Sequence, residues 1–85
     1  MTSDMIEKFV ANKIPKGVVV NIHFKDRTPV AGLFIHTADY DELKSKNFWR
    51  IVNRQHAKEW KESKDVSLAR LYNGAAFTRL TEEGS

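Results

Sequence analysis

No cysteine occurs among the 85 residues of this chain. That excludes a disulfide framework, a thiolate zinc site and a thiol nucleophile. Long apolar runs are missing as well. None exceeds three side chains, as in Val18-Val19-Val20, whereas a helix needs about 20 to cross a bilayer. The start of the chain, MTSDMIEKF, has neither the basic nor the apolar block of a secretory signal. The expected location is therefore cytoplasmic, with no membrane partner. The four glycines, Gly17, Gly32, Gly74 and Gly84, are isolated from one another, so no loop is built to cradle a phosphate. No serine sits in a Gly-x-Ser-x-Gly elbow. His23, His36 and His56 are never three or four residues apart. Only His36 with Asp39 and Asp41 could gather ligands, and their number and spacing suit a metal poorly. Asp39, Asp41 and Glu42 share a polar loop without the apolar walls that would split their pKa values. These absences point away from an enzyme and from any cofactor.

What is present is strand patterning. Eighty-five residues make one domain, 1–85. Asp4 to Lys13 reads as a short amphipathic helix, with Met5, Ile6, Phe9 and Val10 on one side. Asp4 and Glu7 have the spacing of a capping box, and Pro15 stops the helix. In Val18–Phe24, apolar Val18, Val20, Ile22 and Phe24 alternate with Val19, Asn21 and His23. A second strand is expected from Pro29 to Thr37. Gly32 inside it marks a bulge or sharp bend. Ala38–Lys46 is a polar connection with room for one helical turn, and Phe48–Asn53 is a third strand.

Arg54–Asp65 admits two readings. It extends the third strand into a long hairpin, the reading favoured here, or it forms a helix, because Ala57, Lys58, Glu59, Lys61 and Glu62 are good helix formers. Strands four and five, Val66–Tyr72 and Ala75–Leu80, flank Asn73-Gly74. That dipeptide is a strong signal for a type I′ hairpin, whose central residues both need positive φ. Residues 81–85 read as a frayed polar tail. Phe24, Phe34, Phe48, Trp49, Phe77 and Leu80 are the expected core.

Charge is unevenly spread. Lys44 to Lys64 holds seven Lys and Arg against two Glu, a net +5, in a chain that totals +3. The remainder is therefore −2. Such a segment is either a solvated face or the footprint of a polyanion. Trp60 lies in its midst, flanked by Lys58, Glu59, Lys61 and Glu62. A tryptophan in that setting closes the core, anchors a protein interface or stacks on a base.

A helix followed by five short strands, with a glycine inside the second and a tight turn between the last two, resembles the Sm-like fold of bacterial Hfq and of archaeal and eukaryotic Sm proteins. Phe24–Ile35, FKDRTPVAGLFI, is similar to the family's first motif, with Asp26, Arg27 and Gly32 at its matching positions. Ala69–Leu80, ARLYNGAAFTRL, is similar to the second, with Gly74, Phe77 and Leu80 matching. The likeness spans most of the chain in architecture and a handful of residues in identity. It implies a mainly β protein: a strongly bent, five-stranded SH3-like barrel over residues 17–80, behind a helix at 4–13. It also implies RNA binding and self-assembly. The chain departs from the family where Sm proteins build their base pocket. The loop after the second strand carries Asp39-Tyr40-Asp41 and no matching Asn, and Asn73 rather than Arg precedes Gly74.

The sequence thus describes a non-catalytic binding module. Its expected nucleic-acid contacts are Arg50, Arg54, Lys58, Trp60, Lys61, Tyr72 and Asn73, with RNA as partner. The competing reading is a protein-interaction or self-assembling module that forms a homo-oligomer through edge strands in 66–80.

Overall fold

The computed structural model describes residues 1–82. Helix α1 spans Ser3–Val10. Its cap is Thr2, whose hydroxyl accepts from the Met5 amide at 3.3 Å. The expected Asp4–Glu7 box does not form, because Glu7 reaches sideways to Lys44 Nζ at 2.6 Å. Ile6 and Val10 are fully buried on the sheet. The helix closes at Val10 rather than Lys13, and turns through Gly17, at φ +64°, lead into the first strand.

Five strands follow: β1 Val20–Phe24, β2 Val30–Phe34, β3 Phe48–Asn53, β4 Ala69–Asn73 and β5 Phe77–Glu82. They form one antiparallel sheet in the order β4-β3-β2-β1-β5. The expected tail is therefore strand through Glu82, and residues 83–85 lie outside the described residues. Helix α2, Tyr40–Ser45, fills the β2–β3 connection.

The sheet is curled, and the chain itself demonstrates it. β4 and β5 are the two edges, so four spacings of about 4.8 Å would hold them roughly 19 Å apart if the sheet were flat. Only Gly74–Ala76, a 3₁₀ turn, joins them, and such a turn rises only about 2 Å per residue. The rings of Phe24 on β1 and Tyr72 on β4 also come within 6.1 Å. Two strands lie between them in the sheet order. β4 and β5 do not pair with each other, so the curl is not a closed barrel.

Gly32 is where β2 lies closest against β3. A Cβ there would sit 2.6 Å from the Val52 carbonyl oxygen and 2.7 Å from Ile51 Cγ2. What the glycine provides is close backbone approach rather than the expected bulge, and the register shift among the described strands lies instead in β1, between His23 and Phe24. Inside the curl, Ile6, Val10, Val20, Ile22, Phe34, Trp49, Ile51, Phe77 and Leu80 make the main core. Phe24 packs at its margin, and Phe48 is only half-buried.

Two sequence expectations fail for identifiable reasons. Asn73-Gly74 is not a type I′ hairpin, since Gly74 does not adopt positive φ and the flanking strands belong to opposite edges. The Asn73 side chain accepts from the Ala75 amide at 2.9 Å and starts a 3₁₀ turn. Gly74 is a glycine because a Cβ there would collide with Asn47 Oδ1, Ile6 and Trp49. Nor do residues 54–65 extend β3. The Asn53 side-chain Oδ1 accepts from the Gln55 amide at 3.1 Å, ending the strand. A 3₁₀ turn, Arg54–His56, then runs into helix α3, Ala57–Ser63. Leu33, Ile35 and Val52 point out of the curl, opposite Phe34 and Ile51, and require a cover; Ala57 and Trp60 of α3, with Leu68 and Ala69, supply it. A 3₁₀ turn at Val66–Leu68 delays β4 to Ala69.

Candidate nucleic-acid interface

Helical periodicity sorts the basic segment into separate surfaces. On α3 and its C-cap, Ala57, Trp60, Lys61 and Lys64 follow a spacing of three and four and share one side. The structure sets Trp60, Lys61 and Lys64 along an open groove of about 670 Å³. Its opposite bank is the turn after α1, with Ile14, Pro15, Lys16 and Gly17, and its floor is Leu33, Phe34 and Ile35. His36 closes one end, stacked on Tyr40 with 4.3 Å between ring centroids. Burial and the carboxylate of Glu7 push the Tyr40 hydroxyl above its ordinary pKa, so the stack is a neutral one on the tyrosine side.

The groove is basic because its cations are uncommitted. Lys16, Lys61 and Lys64 have no carboxylate within 4 Å among the described residues, and none of the lining residues is acidic. The Lys64 ammonium stands 5.3 Å from the centroid of the Trp60 ring. Trp60 packs against the cluster of Leu33, Ile35 and Val52 and carries that cation over its ring. It serves as cover and groove wall at once.

The other anticipated contacts lie elsewhere. Arg50 is bound to Asp39, with Nη2 to Oδ2 at 2.7 Å and Nε to Oδ1 at 3.3 Å. That pairing, with the Thr37 hydroxyl donating to the same carboxylate, holds Asp39 at a pKa of about 2. The arrangement ties α2 to β3 and uses up the arginine. It also occupies the aspartate that could have joined His36, and no cluster of three metal-ligating side chains forms among the described residues. Arg54 and Lys58 are exposed on the β3–α3 corner, outside the groove. Tyr72 and Asn73 sit beyond it too, beside Phe24 and Arg70.

Lys16, Lys64 and His36 line the groove as well, though the sequence does not mark them out as candidate contacts. Lys16 precedes Gly17 far from the basic segment, and only the packing of α3 against that turn unites them. Lys61 Cε lies 3.2 Å from where a Gly17 Cβ would stand. The legible signal was the double-sided apolar run Leu33-Phe34-Ile35, which called for a covering helix and so for a groove beside it. No helix among the described residues is long and apolar enough to cross a membrane. No family model, no curated protein and no solved structure matches the chain.

Proposed function

We propose that this chain is a non-catalytic, cytoplasmic binding module with an Sm-like, SH3-like small-barrel fold, and that it takes single-stranded RNA along the groove between α3 and the turn after α1. The strand order, the curl and the 3₁₀ bridge between β4 and β5 support the fold assignment. The observation that carries the ligand is the convergence of three unpaired lysines on one apolar-floored groove walled by Trp60. Phosphates answer to the ammonium groups, and exposed apolar ring surface suits unstacked bases better than a closed duplex.

Fluorescence anisotropy with a labelled pool of short RNAs tests this. About three phosphate contacts on a single strand give a log–log salt slope near −2, so affinity should fall roughly 20-fold between 50 and 200 mM salt. Lys16→Gln, Lys61→Gln and Lys64→Gln together should abolish most binding at low salt. Absence of binding by the unaltered protein at 50 mM salt removes the proposal.

A second reading rests on the sheet edges. β4 and β5 are both terminal strands, and Leu71, in the middle of β4, is 51% exposed. Open backbone groups on one copy's β4 can pair with another's β5. Light scattering at rising concentration should then give a multiple of the chain mass. A monomer throughout eliminates self-assembly.

A further inference from the structure

The mouth of the curl holds a second basic site, distinct from the lysine groove. In the β3–β4 register, Arg70 lies opposite Ile51 and Tyr72 opposite Trp49. Directly paired residues share a face, and Ile51 and Trp49 are core. Arg70 therefore stands on the core-facing side of an edge strand, yet it is exposed. No carboxylate pairs with it among the described residues. Arg27 comes from the β1–β2 turn, with its guanidinium carbon 4.9 Å from the centroid of Phe24. A cation–π contact of this kind holds the group near the ring without using its N–H donors.

Arg27, Arg70 and Tyr72 together line two adjoining depressions. One, of about 340 Å³, adds Asn53, Gln55 and His56 on its polar side and Val30 and Leu68 on its apolar side. Neither depression has an acidic lining residue. Two guanidinium forks can match the charge of one phosphomonoester, which carries about −1.5 to −2 near neutral pH. Each depression has about half the volume of the lysine groove.

We infer that Arg27 and Arg70 form a phosphomonoester site at the mouth of the curl, with Tyr72, Val30 and Leu68 receiving the ring or chain that bears the phosphate. The ester is either a free nucleotide or the phosphorylated end of an RNA, and recognition of the phosphate is common to both.

Titration calorimetry with adenosine 5′-monophosphate, and with adenosine as the uncharged control, reads the site directly. The monophosphate should bind at least 10-fold tighter than adenosine. Arg27→Gln and Arg70→Gln, both on exposed side chains, should each weaken it about 10-fold or more. Lys61→Gln with Lys64→Gln, in the other groove, should leave it unchanged. A short RNA with and without a 5′-phosphate separates the sources. In the Lys61→Gln and Lys64→Gln variant, preference for the phosphorylated over the unphosphorylated RNA assigns the site to RNA ends, and equal affinity for the two RNAs assigns it to the nucleotide. Equal binding of adenosine and its monophosphate by the unaltered protein, or full affinity after Arg70→Gln, overturns the inference. Either result leaves the RNA reading of the lysine groove standing on its own titration.

Discussion

Trp49→Ala is expected to lower the unfolding free energy by about 4 kcal/mol, within the range for removing a large buried aromatic. Trp49 is 2% exposed and lies at the centre of the main core. Phe34 and Tyr40 meet it edge-on, each with 5.9 Å between centroids. Its indole N–H donates to Asn47 Oδ1 at 2.8 Å. Truncation opens a cavity that neighbours on β2, α1 and α2 cannot all collapse into, and it frees a partly buried acceptor. For a domain of this size each kcal/mol moves the melting temperature by about 4–8 °C, so a fall of roughly 20 °C or more should appear in a thermal melt. Trp60→Ala, on the thinner outer cluster, should cost visibly less. Equal losses at the two tryptophans would mean that the core is wrongly placed.

The second large effect is at Gly74. Alanine there should cost about 3 kcal/mol through overpacking. Its Cβ would stand 2.5 Å from Ile6 Cδ1 and 2.8 Å from Trp49 Nε1, and it would collide with Asn47 Oδ1. The backbone is equally committed, because the Gly74 amide donates to the Asn47 carbonyl at 2.8 Å. Asparagine at this position separates two explanations. In a turn that needs positive φ, Asn is tolerated nearly as well as Gly. Where the need is space, Asn is at least as damaging as Ala. Denaturant midpoints for Gly74→Ala and Gly74→Asn should therefore fall together, and a mild Asn variant would restore the hairpin.

That contrast shows what the sequence could tell. Alternation at Val18–Phe24, and aromatic and β-branched enrichment at Phe48–Asn53, mark strands within a residue or two of Val20–Phe24 and Phe48–Asn53, because a half-buried strand needs those side chains. Asn73-Gly74 misled, because a local turn motif says nothing about whether its flanking strands are partners. They are not: one pairs with β3 and the other with β1. Residues 54–65 admit strand or helix on local propensity alone, and the outward apolar face of Leu33, Ile35 and Val52, which needs a cover, decides for the helix. The candidate site was half legible. Trp60 and Lys61 stand out by composition, whereas Lys16 joins them only through the packing of α3. Arg50 looked available until its carboxylate partner, eleven positions back on the far side of α2, was seen.

The order of the sheet also sets a schedule for the nascent chain. Strands one to four can zip together as they leave the ribosome, each against its immediate predecessor. The outer rim of the first must wait for the fifth, made last of all, before its amides and carbonyls find protein partners. Until then Val20 and Ile22 border an unsealed seam, the interval when a sticky neighbour or a chaperone would find this polypeptide most receptive.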